Sequence, residues 1–395
     1  MPPSTELLAR LLTALEPELA RAVELRHRLH GAPELAHAEQ QTAASVAGEL
    51  PLAPVTVAAT GLAALVGAGS QAPVAVRAEL DGLPLQERTG ASFSARGTVM
   101  HACGHDVHMA ALVALTRAAA TLAEELPAPL LAVFQPSEEA YPSGAEQLAR
   151  GELARFGVGA IVAAHVHPEL PWGSVALDPG VVNASCDAIE IVIEGEPSHG
   201  AYPHRGRDPI LALAGVIVAL HAQLARRIDP LHPAVLTIGL LEGGTAENVI
   251  PASARARGAL RAHLPEDRAA LRRLVEEVVV GTAAASGCRG RVTLTSGEPA
   301  LENDAGVVAR ARSMLLDAGL RTAPEWRSCG SDDFAFLGGL APLAMAFVGL
   351  DGAPGFVRRP LHHPELLPPD EAVGAVARTL AVLYLAAAQP PATPG

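Results

Sequence analysis

Disulfide bonds have little to work with in this chain. Its 395 residues include four cysteines, Cys103, Cys186, Cys288 and Cys329, scattered without a CxxC pair. That spacing suits a reducing compartment better than a disulfide framework, so a cytoplasmic location is expected. No run of about 20 uncharged apolar residues occurs, so no membrane span is expected. Residues 1–10 carry Glu6 and lack a basic leader followed by an apolar block, so no signal peptide is expected. An excess of positive charge is missing too. The formal net charge is −13, which argues against a nucleic-acid partner. Internal repeats and low-complexity tracts are absent apart from an alanine bias. What is present is apolar surface: 49% of the residues are hydrophobic, enough for burial and too much for wholesale disorder. The length exceeds one comfortable core, so two domains are expected.

The pattern along the chain gives the fold class. Residues 5–29 have leucines at helical spacing, with Pro17 placed to split the helix. Apolar strand-like runs at 61–66, 74–80, 130–134 and 160–164 alternate with helical stretches at 41–50, 107–126 and 144–150. This predicts an α/β domain with a mostly parallel sheet and helices on both faces. The pattern changes near residue 183. Strands at 187–194, 234–241, 255–264 and 291–296 and helices at 208–226 and 265–284 follow the order β-α-β-β-α-β, the split ferredoxin-like unit. Residues 183–298 therefore read as a domain inserted into a first one made of 1–182 and 299–395. A helix through about 319, a strand at 343–348 and a final helix at about 369–388 complete the first domain. The Pro-rich tail after Gln389 is expected to fray.

The chemistry starts from residues 99–108, which hold three histidines, one cysteine and one aspartate. Cys103 and His105 lie two apart, with Gly104 allowing a tight turn between them. A thiolate and an imidazole so close can hold one divalent metal or share a pair. In open α/β sheets, ligands bind beyond the carboxyl ends of the strands. Asp81, Glu138, Glu139 and His165 all read as lying just past strand ends, and His362 sits in a late loop. Cys103, His105, Glu139, His165 and His362 exceed what one tetrahedral ion needs. They suit two divalent metals sharing Cys103, with positions left open for water or substrate. Glu138, beside Glu139, is then placed to act as general base.

Ten pieces spread over almost the whole chain resemble one family. They include His30-Gly31-Ala32-Pro33-Glu34-Leu35, Arg77-Ala78-Glu79-Leu80-Asp81-Gly82-Leu83-Pro84 and His101-Ala102-Cys103-Gly104-His105-Asp106. Further along are Phe134-Gln135-Pro136-Ser137-Glu138-Glu139, Ala164-His165-Val166, Ser198-His199-Gly200-Ala201-Tyr202-Pro203-His204 and Asp208-Pro209-Ile210. The last are Gly243-Gly244-Thr245-Ala246-Glu247-Asn248-Val249-Ile250-Pro251, Gly330-Ser331-Asp332-Asp333-Phe334 and His362-His363-Pro364. In this order they resemble the metal-dependent amidohydrolases that include hippurate hydrolase, plant indole-acetyl-amino-acid hydrolases and bacterial N-acetyl-diaminopimelate deacetylase. Those enzymes are relatives of aminoacylases and co-catalytic zinc carboxypeptidases.

The resemblance implies hydrolysis of the amide bond of N-acyl amino acids, with N-acetyl or aromatic acyl groups, by a metal-activated water. It implies two divalent ions per chain, zinc first and manganese, cobalt or nickel as alternatives. Cys103, His105, Glu139, His165 and His362 would be the ligands. Glu138 would be base and then acid, and Asp81 would orient the metal cluster. His199 would stabilise the oxyanion, in relatives often from the partner subunit of a dimer. Asn248 would touch substrate. A homodimer built through the inserted domain is expected, with closure of that domain as a lid. A dipeptidase or carboxypeptidase, or a metal-binding member without activity, are the alternative readings.

Several residues take lesser places. His167 and His363 are the alternatives to His165 and His362. His101 and His108 are read as supporting groups that orient ligands. Arg261 could pair a substrate carboxylate, with a solvated strand arginine as the default. Asp332 and Asp333 are read as helix caps or ligand supports, and Cys186, Cys288 and Cys329 as spectators. Glu79, the stretch Ala140-Tyr141-Pro142-Ser143-Gly144, Pro197-Ser198 and Glu247 depart from the family's usual residues. All but Glu79 border the expected substrate pocket.

Overall fold

The computed structural model describes residues 3–389, and the tail expected to fray lies outside them. The chain divides into two compact units. Unit 1 comprises Met1–Gly180, Glu302–Trp326 and Asp333–Gly395, and unit 2 comprises Val181–Leu301 and Arg327–Asp332.

Unit 1 is built on an eight-stranded mixed sheet with helices on both sides. Its centre is parallel: Leu130–Gln135, Val74–Glu79, Ala160–Pro171 and Leu343–Asp351 lie side by side in that order. Antiparallel strands Gly61–Val66 and Val55–Val57 extend one side. On the other side, Ser174–Ala176 runs antiparallel to Leu343–Asp351 and pairs in parallel with Arg321–Thr322. Every residue of Val74–Glu79 and of Leu130–Gln135 is buried, as a strand covered on both faces requires.

The register places the strand ends together. Val74 pairs with Leu130 and with Ala160, and Glu79 pairs with Gln135. Asp81 and the segment after Gln135 therefore leave the sheet at the same rim. Here one detail differs from the sequence expectation. The strand expected to end at 164 runs Ala160–Pro171, because its other edge stays paired to Leu343–Asp351. His165 is consequently inside a strand, opposite Phe347, although its pairing to Val74–Glu79 has stopped at Ala163.

The helices follow the apolar spacing. Pro17 breaks the first stretch into Pro3–Leu15 and Leu19–Gly31, joined by a 3-10 turn at Glu16–Glu18. Leu8, Leu11 and Leu15 are buried in the core. The helix His105–Ala120 is covered nearly all round and begins directly after Gly104. The helix expected at 144–150 is shorter, Gly144–Gln147, and passes into a wider turn at Leu148–Glu152 where Gly151 leaves helical geometry.

In unit 2 the order is β-α-β-β-α-β. Four antiparallel strands stand in the order Ala234–Gly243, Ser253–Ala262, Ser185–Glu194, Arg289–Ser296. Ile189, Ile191 and Ile193 alternate with more exposed residues and pack in one core with Ala212, Leu213, Val216 and Leu220 of Pro209–Arg227. Leu271, Val275 and Val279 of the second helix, Pro265–Ala285, join the same core. Asp208 caps the first helix by accepting from Ile210 N and Leu211 N, with Pro209 in its first turn. By length and composition alone this helix is apolar enough to cross a membrane. Its i, i+4 stripe packed on the sheet makes it an element of unit 2.

Candidate metal centre

The turn at Gly104 builds the centre. Its φ is +89°, and a β-carbon there would sit 2.5 Å from Val166 Cγ2. Only glycine fits, and the turn places Cys103 and His105 on either side of it. His105 opens its helix with Nδ1 held at 2.8 Å from the carbonyl oxygen of Asp81. His165 is fixed in the same way, with Nδ1 at 2.7 Å from the carbonyl oxygen of Val166. In each ring Nδ1–H donates to a carbonyl, so Nε2 keeps its lone pair, the arrangement found in metal-ligating histidines.

These lone pairs converge with other donors. Cys103 Sγ is 3.4 Å from His165 Nε2. Ligand atoms of Cys103, His105 and Glu139 all lie within 4.8 Å of one another. His362 Nε2 is 3.2 Å from Glu139 Oε1. His105 Nε2 and Asp81 Oδ1 are buried with no hydrogen-bond partner. Buried polar atoms rarely stay unpaired, and a soft thiolate, imidazoles and a carboxylate facing one another are a donor set for divalent metal. The residues therefore fit the metal pair expected from the sequence.

Charge supports the set. Burial and the neighbouring His108 ring press the His165 pKa well below the imidazole range, so it is neutral. For His105, burial opposes protonation, but the Glu79 and Asp81 carboxylates outweigh it and hold the pKa up at about 10. A dication is the natural replacement for that proton.

The remaining candidates fall into place around this core. Asp81 Oδ2 accepts from the backbone N–H of Glu139 at 2.9 Å, which fixes the loop bearing both glutamates. Glu138 Oε2 lies 4.0 Å from His105 Nε2. His363 Nδ1 instead accepts from Glu365 N at 3.1 Å, and His167 meets Trp326 edge to face with ring centroids 4.6 Å apart. His362 reaches Glu139 from a left-handed backbone, φ +63°, pinned by its N–H to Ala102 O at 2.8 Å. Left-handed geometry in a non-glycine residue marks a position held by its surroundings.

His108 is a support. Its Nδ1 meets Glu79 Oε2 at 2.9 Å, and its Nε2 accepts from Val166 N at 3.0 Å, so no lone pair is left for metal. His101 is fully buried, its ring 6.5 Å from that of His105, and burial lowers its pKa to about 4.

His199 and Asn248 lie in unit 2, where Ser198–His199 pairs with Val249–Ile250. Gly200 N donates to Asn248 O at 2.7 Å, which ties the two loops together. Ala201 N donates to His199 Nδ1 at 3.0 Å, which leaves the proton on Nε2 and makes the exposed end of the ring a donor. Arg261, also in unit 2, spends one amino group on Cys329 O at 3.0 Å.

Two further carboxylates support the loop: Asp333, read from the sequence as a helix cap or ligand support, and Glu39, which the sequence did not single out. Asp333 accepts from Arg77 Nη2, Gln135 Nε2, Ser143 Oγ and Ala145 N, clamping both roots of the Glu138–Glu139 loop. Glu39 accepts from Ser137 N at 2.8 Å. The only local signal was an acidic residue next to a helix start, which reads as a cap.

Comparison with known proteins agrees with this geometry. Residues 75–385 match peptidase family M20/M25/M40. The chain is 33% identical to the N-acetyl-L-cysteine deacetylase of Bacillus subtilis over 89% of its own length and 84% of the relative's. It is 31% identical to the N-acetyldiaminopimelate deacetylase of Bacillus licheniformis over 93% of its own length and 98% of the relative's. Among solved structures, it resembles the Bacillus subtilis YXEP protein, described as a dinuclear metal binding peptidase of this family. That match has a TM-score of 0.82 and 29% identity, covering 94% of this chain and 98% of the other. The chain belongs to peptidase family M20/M25/M40 and is a hydrolase of amide bonds.

Proposed function

We propose that the protein hydrolyses the amide bond of N-acyl amino acids, with N-acetyl compounds as the first substrates to try. The observation that carries this reading is the position of Glu138, a carboxylate 4.0 Å from the open nitrogen of His105 at the edge of the donor set. Cys103, His105, Glu139, His165 and His362 would hold two divalent ions, zinc first, with Cys103 shared. Such ions would lower the pKa of water and polarise the amide carbonyl. Glu138 takes the proton from the attacking water and returns it to the leaving nitrogen. Asp81 keeps the loop of Glu138 and Glu139 in place through the Glu139 N–H. His199, a donor at Nε2, would steady the developing oxyanion, a contribution of about 10²–10³ in rate for donors of this kind. Asn248 would accompany it at the substrate. The names of the two deacetylase relatives support this substrate class.

The reading includes a homodimer through unit 2. Ile210, Leu211 and Val218 are exposed on the helix Pro209–Arg227. Leu240 and Leu241 are exposed on the end strand of the same unit's sheet. Exposed apolar side chains on a helix and on an end strand are what a two-fold interface can bury. Sedimentation should give a dimer, and Leu211→Arg with Val218→Glu should give monomers.

The test of function is direct. Metal-free protein is loaded with zinc, manganese, cobalt or nickel, its metal content is measured, and it is offered N-acetyl amino acids, N-benzoyl amino acids and dipeptides. About two ions per chain and preferential turnover of acyl amino acids are expected. Faster turnover of dipeptides would make it a dipeptidase. No turnover with any cation would overturn the proposal.

A further inference from the structure

The loop that carries Glu138 and Glu139 enters from Ser137, whose φ is +51°. A serine in that region is strained, at a cost of order 1–3 kcal/mol. Strain of this kind persists only where neighbours over-determine it, and here the neighbours converge on one group. Glu39 is 0% exposed and stands just before the helix Gln40–Ala47. Its Oε1 accepts from Ser137 N at 2.8 Å, from Ser137 Oγ at 3.2 Å and from His37 N at 3.0 Å. Its Oε2 accepts from Thr60 Oγ1 at 2.7 Å. All four donors are neutral, so these bonds give the buried carboxylate no countercharge.

His37 is the second half of the clasp. It too is left-handed, with φ +67°. Its ring spans the glutamates: Nδ1 lies 2.9 Å from Ser137 Oγ, and Nε2 lies 3.3 Å from Tyr141 O. Two strained residues and one buried acid thus meet at the residue directly before Glu138. Burying a carboxylate is expensive. A carboxylate that served stability alone would be better partnered by a cation than by the amide of a strained residue.

We propose that Glu39 is a positioning residue for Glu138: by holding Ser137 N in the left-handed conformation, it aims the next side chain at the metal centre. This rests on the role given to Glu138 above. Asp81 holds the Glu139 amide and Asp333 holds Gln135, Ser143 and Ala145, so Glu39 supplies the contact to Ser137, the residue directly before Glu138.

The proposal makes a specific set of expectations. Glu39→Ala lowers kcat about 10- to 100-fold, since a misplacement of about 1 Å costs on the order of 10² in rate. KM stays within about threefold, and both ions remain bound at saturating metal. Ser137→Gly in the Glu39→Ala background recovers kcat about tenfold, because glycine adopts positive φ without the penalty. Glu39→Gln, whose Oε1 can still accept the Ser137 N–H, stays within about threefold of wild type. If Glu39→Ala does not fold, Glu39→Asp, which withdraws the carboxylate by one methylene, must show the same loss and the same rescue.

Hydrogen exchange on metal-free protein is the readout independent of turnover. Amides in 135–141 should exchange faster in Glu39→Ala than in wild type, and in Glu39→Gln they should not. Unchanged exchange, wild-type kcat in the truncated variant, or lost kcat that Ser137→Gly does not recover would each overturn the proposal. If wild-type protein turns over no acyl amino acid, the proposed function fails, while the exchange experiment still decides whether Glu39 holds the loop.

Discussion

Replacing Gly104 by alanine perturbs the turn between two of the proposed ligands, and the structure sets the size of the effect. Gly104 has φ +89°, a region that costs an ordinary residue about 1–2 kcal/mol. The added β-carbon would also meet Val166 Cγ2 at 2.5 Å. Val166 is buried in the core, so it yields only by moving the strand or changing rotamer, typically about 1–3 kcal/mol. Gly104→Ala should therefore destabilise unit 1 by about 2–5 kcal/mol. Val166 follows His165 directly, and its N–H holds His108, so the push travels to the ligand side. Cation affinity should fall by about 10- to 100-fold. Urea unfolding of metal-free protein measures the first effect and calorimetric cation titration the second. A double-mutant cycle with Val166→Ala isolates the clash, with an expected coupling of about 1–3 kcal/mol in favour of the pair. Additive effects, or a Gly104→Ala loss below about 0.5 kcal/mol, would refute the steric reasoning.

His30 lies buried between Asp106 and Glu87, at 3.0 and 3.1 Å. Burial opposes its protonation, but the Asp106 and Glu87 carboxylates outweigh it and raise its pKa from 6.5 to about 9. The native state binds this proton more tightly than the unfolded chain. The stabilisation is thus fully present below pH about 6.5 and is lost as pH rises through about 9. The advantage of metal-free wild type over His30→Gln should shrink by ~3 kcal/mol across that window, measured by urea unfolding at each pH; a constant difference would contradict it. Asp333→Ala removes a carboxylate from the buried guanidinium of Arg77 and should cost about 3–5 kcal/mol by the same assay. A loss under about 1 kcal/mol would contradict this role of Asp333.

The readable part of this protein was the part whose signals are local. Val74–Glu79 and Leu130–Gln135 declare themselves as apolar runs, and their parallel direction follows from βα alternation. Cys103 and His105 declare themselves by adjacency around a glycine. Glu39 could not be found that way, and Asp333 only as a helix cap or ligand support, because what defines both is a partner far along the chain. Glu39 meets Ser137 across 98 residues, and Asp333 meets Gln135 across 198. Each looks by itself like a polar residue near a helix or loop. His165 reads as lying past a strand end because the apolar run covers 160–164; a strand edge that has lost one neighbour and kept the other is invisible in sequence.

The central claim is that Glu138 moves the proton at a centre holding two divalent ions. Glu138→Gln keeps the size of the side chain and removes the base. Metal analysis and turnover of an N-acetyl amino acid, measured on the same preparation, test the claim together. About two ions per chain with hydrolysis reduced at least about 10³-fold is the predicted result, the scale of a lost base. Retained hydrolysis at full metal content would contradict the assignment.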